Sequence, residues 1–164
     1  RCQGLRTSMK ISLITVGRTD VAWVREGMQV YVSRLGHYCS FALEEIPELK
    51  NVSALSHDQI KQKEGELILK KVRNSDCLIL LDERGKLQTS LEWASWIQGR
   101  LSAGRDLVFV IGGAYGFSKD VYDRAEGMVS LSKMTFSHQM VRAIFLEQLY
   151  RAFTILRGEP YHHE

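Results

Sequence analysis

Proline is almost absent from this 164-residue sequence, with only Pro47 and Pro160. Long stretches are therefore free of the residue that interrupts helices and inner strands. Cysteine is equally scarce. Cys2, Cys39 and Cys77 are odd in number, widely spaced and without a C-x-x-C, a pattern that excludes a disulfide framework and a zinc knuckle. Such usage suits a reducing, cytoplasmic setting. No apolar run approaches the ~20 residues of a membrane span. The opening "RCQGLRTS" lacks an apolar segment before a small-residue cleavage site, so no secretory signal is expected. Charge of one sign is also missing: the net value is +3, with Lys and Arg spread along the chain. That balance permits a nucleic-acid partner without demanding one.

What is present is a regular alternation of strand-like and helical runs. "KISLITV" is a short β-rich run closed by Gly17, and Val21, Val24, Met28, Val32 and Leu35 then recur at helical spacing. "SFALEEI" reads as a second strand. Ser56 and Gln59 form a capping box ahead of "IKQKEGELILKKV", and Thr89 with Glu92 forms another ahead of "SLEWASWIQGRL". "CLILLD" and "DLVFVI" are continuous apolar runs, as expected of parallel strands covered on both faces. Ser118 can cap a short helix, "MVSLS" is a last strand, and a helix from about Ser137 to Arg157 closes the order. The expectation is α/β: a mostly parallel sheet with helices on both faces. Residues 1–8 read as an upstream extension or expression remnant, and residues 9–164 as a single domain.

Ligands of open α/β sheets bind beyond the carboxyl ends of the strands. Three connections qualify: "LLDERGK", read as a turn, "VIGGAYGFS", and "SLSKMTFSH". Gly112, Gly113 and Gly116 are spaced G-G-x-x-G, which matches neither the dinucleotide fingerprint nor a P-loop. They suit either a plain turn or a backbone clamp on a small ligand. Asp82, at its strand end, is placed to face that ligand. The closing helix is apolar on nearly every side from Met140 to Leu156, so it must be buried all round, which suits a place between two copies of the chain. Arg142, Glu147 and Arg151 interrupt it. Glu147 and Arg151 suit an i,i+4 pair, and Arg142 and Arg151 equally suit anion ligands.

The segments "LITVGRT", "EIPE", "KEGE", "LLDERGK", "FVIGGAYGF", "SLSKMTFSHQMVR", "EQLYRAFTI" and "PYHHE" occur in this order from Met9 to Glu164. Together they resemble the ribosomal RNA large subunit methyltransferase H family, minimal enzymes of the SPOUT class. Ala114 departs from the Pro that many members carry there. The resemblance implies a SPOUT-type fold with a C-terminal trefoil knot, a homodimer, and S-adenosylmethionine as methyl donor. It also implies methylation of N3 of a pseudouridine in 23S ribosomal RNA, in the large subunit or the assembled ribosome. Matched by motif, Leu81, Gly113 and the segment Ser132, Lys133, Met134, Thr135, Phe136 and Ser137 would surround the cofactor. Arg142 and Arg151 would bind RNA. Tyr161 and His162, with Arg151, would form the catalytic group, the tail of one subunit reaching the cofactor of the other.

Two other readings stand beside this one. A ribosome-binding module without catalysis needs the basic surface but no cofactor cavity. A metal enzyme built on His162 and His163 is disfavoured, because no further His, Cys or Asp has ligand spacing to them. His163 and Glu164 suit a solvated end as well as a site.

Overall fold

The computed structural model describes residues 9–163; residues 1–8, with Cys2 and the expected extension, and Glu164 lie outside the described residues. Five strands and five helices alternate in this range. They are β1 (Lys10–Val16), α1 (Ala22–Leu35), β2 (Ser40–Ile46), α2 (His57–Lys70), β3 (Cys77–Leu87), α3 (Ser90–Ser102), β4 (Leu107–Ile111), α4 (Lys119–Arg124), β5 (Gly127–Ser130) and α5 (Met140–Leu156). The strands form one sheet in the order β2-β1-β4-β3-β5, every pairing parallel.

The alternation of apolar residues along the inner strands assigns each helix to a face. Leu107, Phe109 and Ile111 of β4, with Cys77 and Ile79 of β3, pack with the buried residues of α1, α3 and α5. Val108 and Val110, with Leu78 and Leu80, point the other way and meet Ile68 of α2 and Val121 of α4. Both faces of the inner strands are therefore dry, which is why these strands read as unbroken apolar runs. The two capping boxes form as their sequences require: Ser56 and Thr89 accept from the backbone of Gln59 and Glu92, and both side chains reply to the cap backbone. Ser118 accepts from Val121 in the same way.

Two local expectations are corrected. "ERGK" is not a turn but part of β3, which extends to Leu87. Its pairing with β5 shifts register between Leu81 and Lys86, so that both face Val129 and the residues between them bulge outward. Gly85 permits this, because a Cβ there would lie 2.6 Å from the backbone N and C of Val129. The second correction concerns α5, whose regular part begins at Met140 rather than near Ser137. Ser137 still serves its first turn, accepting from Met140 N–H at 3.1 Å. The apolar surface of α5 is largely covered within the chain, by α1 on one side and α3 on the other.

The connection from β5 to α5 crosses the sheet. It leaves the β5 edge and reaches the carboxyl end of β1, where the Gln139 side chain accepts from Asp20 N–H at 2.7 Å and donates to Arg18 C=O at 3.2 Å. It thereby passes the carboxyl ends of β3 and β4.

Candidate active site

That crossing closes a cavity of about 720 Å³ at the carboxyl ends of β3, β4 and β5. Its walls are the Leu81–Arg84 bulge, the 111–117 loop and the 129–136 connection, with Lys61 of α2 and the head of α5 at the margins. The size falls within the range of small-molecule sites.

The glycine loop is held tightly. Gly113 and Gly116 form a bridge, and Gly116 has φ +86°, a conformation that side-chain-bearing residues avoid. A Cβ at Gly112 would lie 2.9 Å from the buried ring of Phe117. The loop can therefore present its backbone, rather than side chains, to a ligand.

Asp82 is committed to neighbours. Its carboxylate accepts from the Tyr122 hydroxyl, from Arg84 N–H at 2.8 Å and from Arg84 Nε at 3.2 Å. Burial works against its ionisation, but these hydrogen bonds prevail and hold its carboxyl below the usual range. Asp82 is thus an ionised brace for the cavity wall. Along the third wall, Ser130 donates to Ser132 C=O at 3.0 Å and Ser132 accepts from Met134 N–H at 2.9 Å. These bonds fix the turn that carries Lys133 and Met134 to the cavity.

Leu81, Gly113, Ser132, Lys133, Met134, Thr135 and Phe136 all line this one cavity. Ser137 does not; its hydroxyl is spent on the first turn of α5. The sequence reading missed the contribution of α2. Lys61 lines the cavity, and Glu64 stands behind Gly113 with its carboxyl pushed up by burial. Glu64 lies in the quoted "KEGE", where Gly65 has its own reason: a Cβ there would meet Ser118 Oγ at 2.5 Å.

The family described as predicted SPOUT methyltransferase matches residues 9–162. Three full-length relatives carry the name ribosomal RNA large subunit methyltransferase H. The Parabacteroides distasonis protein is 54% identical over 157 residues, covering 95% of this chain and 100% of its own. That of Christiangramia forsetii is 54% identical over 156 residues, covering 94% and 99%. That of Flavobacterium johnsoniae is 55% identical over 157 residues, covering 95% and 100%. The chain belongs to the SPOUT methyltransferase family.

Arg142 of this SPOUT methyltransferase, expected at the RNA surface, is turned inward. It is 2% exposed, and its guanidinium donates to Val16 C=O at 2.9 Å, Gly17 C=O at 3.0 Å and Thr19 Oγ1 at 2.8 Å. Parallel strands leave carbonyls unpaired at their carboxyl ends, and Arg142 satisfies those of β1 from beneath. Glu45 lies 3.7 Å from it and supplies the balancing charge.

Arg151, Tyr161 and His162 gather elsewhere in the methyltransferase, on the middle of α5. Glu147 accepts from Arg151 Nη2 at 2.6 Å and from the Tyr161 hydroxyl at 2.8 Å, while Arg151 Nη1 lies 3.0 Å from His162 Nδ1. The guanidinium has only donors, so Nδ1 accepts and the imidazole proton resides on the other nitrogen. The Tyr161 hydroxyl is pushed up by burial, by its bond with Tyr31 and by Glu147. It therefore remains a donor at neutral pH. None of these three side chains lines that cavity.

Proposed function

We propose that the protein transfers a methyl group from S-adenosylmethionine to N3 of a pseudouridine in 23S ribosomal RNA. The observation that carries this reading is the convergence of Leu81, Gly113 and the 132–136 segment on one cavity. The chemistry of the walls suits the cofactor. Apolar strand ends at Leu81, Ile111 and Val129 offer a floor for an adenosine, and the glycine loop offers close backbone approach. The donor, when bound, supplies an electrophilic methyl group on a sulfonium. The chain's part is to hold the two reactants in line, which can lower the barrier by several kcal/mol.

The N3–H of the target base is a weak acid and must lose its proton for the nitrogen to become nucleophilic. Arg151 favours the resulting anion, so that the proton can leave to solvent, and its bond to Nδ1 orients His162 beside the base. Tyr161 offers a ring for base stacking and a hydroxyl that donates. Because these groups stand apart from their own cavity, they act on the cavity of a second subunit. A homodimer is the assembly that permits this. Trp23 and Val30, 62% and 46% exposed on one face of α1, support such a contact. A C-terminal trefoil knot belongs to the same reading, supported by the crossing of the 131–139 connection, since ordinary connections avoid such crossings. Action on ribosomal RNA places the enzyme in the cytoplasm, and no helix among the described residues is long and apolar enough to cross a membrane.

The test is mass mapping of unmodified 23S ribosomal RNA, free and in large subunits, after incubation with the protein and labelled S-adenosylmethionine. Label on N3 of a single pseudouridine is the expected result. Cofactor binding without any label on RNA would overturn the reading.

A further inference from the structure

Tyr115, at the tip of the glycine loop, is 44% exposed at the edge of the cavity. Large aromatic rings are costly to leave in water, and this one is not loose. It stacks on His57 with ring centroids 3.8 Å apart and planes 18° from parallel. Both rings stand on fixed backbone. His57 is the first residue of α2, held by the Ser56–Gln59 capping box, and Tyr115 sits between the bridged Gly113 and Gly116. The opposite wall of the cavity presents Met134, 78% exposed, next to Lys133. Lys133 forms no ion pair among the described residues, whereas Lys61 and Arg84 are matched by Asp58 and Asp82. A rigid aromatic step on one side and an unmatched cation beside an exposed thioether on the other are the parts of a single-strand nucleic-acid site.

We infer that the Tyr115–His57 stack is a platform for an unpaired RNA base beside the target nucleotide, with Lys133 holding phosphate across the cavity mouth. The inference rests on the methyltransferase reading above and names part of its RNA-binding surface. Charge favours RNA over an apolar partner here, because Lys133, which lines the same cavity as Tyr115, forms no ion pair among the described residues. Preorganisation matters as well. A ring already stacked loses little freedom when a base covers its outer face, so most of the stacking free energy is retained.

The test uses the full-length protein with three variants, Tyr115→Ala, Tyr115→Phe and Lys133→Ala. Two quantities are measured: the Kd for S-adenosylmethionine by calorimetry and the KM for unmodified large ribosomal subunits. Loss of one base stack is expected to raise the RNA KM of Tyr115→Ala by about tenfold or more. Its cofactor Kd should stay within about twofold, and Tyr115→Phe should restore the RNA KM because the ring face is kept. Lys133→Ala should raise the RNA KM and flatten its salt dependence. An unchanged RNA KM in Tyr115→Ala overturns the platform. So does a cofactor Kd weakened as much as the KM, which would assign the ring to the adenine of the cofactor. Failure of the unmutated protein to label RNA at all is a different result, and it overturns the proposed function itself.

Discussion

The carboxylate of Glu64 lies where a side chain at Gly113 would have to go: a Cβ there would stand 2.8 Å and 2.9 Å from its two oxygens. The obstacle is the far end of a flexible side chain, so it can swing aside at small cost. Gly112 is different, since its Cβ would meet a buried ring. Gly113→Val should therefore keep a near-normal melting temperature yet lose cofactor binding, because the displaced carboxylate and the new methyls alter the cavity wall. Gly112→Ala should instead destabilise the fold by about 1–3 kcal/mol. Calorimetry and thermal melts on both variants separate the two effects, and normal cofactor binding by Gly113→Val would remove the loop from the site.

The Asp82 brace predicts a signed pH dependence. Its carboxyl is held below the usual range, so its contribution is complete above the unfolded value near ~3.9 and is lost as pH falls through the lower folded value. Asp82→Asn should cost about 1 kcal/mol at neutral pH, the site being partly open to solvent. The difference from the parent protein should shrink below the carboxylate range. A deficit that is constant from pH 7 to pH 2 in denaturant titrations would show that the ionised form is not what matters.

Arg142→Met should destabilise the protein by about 3 kcal/mol, because three acceptors at the end of β1 would lose their donor. The salt dependence of RNA binding should be unaltered in whatever fraction remains folded. A reduced salt slope would return Arg142 to the RNA surface.

Arg151→Ala should weaken RNA methylation far more than cofactor binding. Removing residues 161–164 should do the same while leaving the dimer intact. If the tail serves the other subunit, mixing the truncated protein with Gly113→Val should recover activity, since one of the two sites then combines an intact cavity with an intact tail. No recovery in re-equilibrated mixed dimers would place cavity and tail in the same subunit.

Trp23→Asp with Val30→Asp should yield a stable monomer of 18.8 kDa in sedimentation, whereas the parent protein should sediment as a dimer at micromolar concentration. The monomer should bind cofactor and fail to methylate RNA. A parent protein that is itself monomeric would remove the basis for a shared site.

The elements that announce themselves locally were legible in the sequence. The capping boxes at Ser56 and Thr89 need only four residues each, and the apolar runs of β3 and β4 need only burial on both faces. The three cavity loops followed from the rule for carboxyl ends of parallel strands. What stayed hidden depends on partners distant in sequence. β3 continues through Arg84 because Val129 shifts register against it. Arg142 reads as a surface charge until β1, 126 residues away, is seen to need a donor. Glu64 and His57 lie on α2, a helix brought to the glycine loop by the packing of Gly65 against Ser118 and the stacking of His57 on Tyr115. The isolation of Tyr161 and His162 from their own cavity is likewise a matter of where α5 runs, which no spacing reveals.

The crossing from β5 to α5 gives the site a place in the life of the chain. One wall of the cavity and the helix that covers β1 and β4 both come from residues 129–156, after every other strand has been made. On the ribosome, domains assemble from the amino end as the chain emerges. Four strands can pair before this segment is free, but their carboxyl ends then border an open groove rather than a cavity. The growing polypeptide therefore lacks a complete cavity until residues 129–156 have left the particle that synthesises them. On the proposed reading, the tail of a second subunit must follow before methyl transfer can begin.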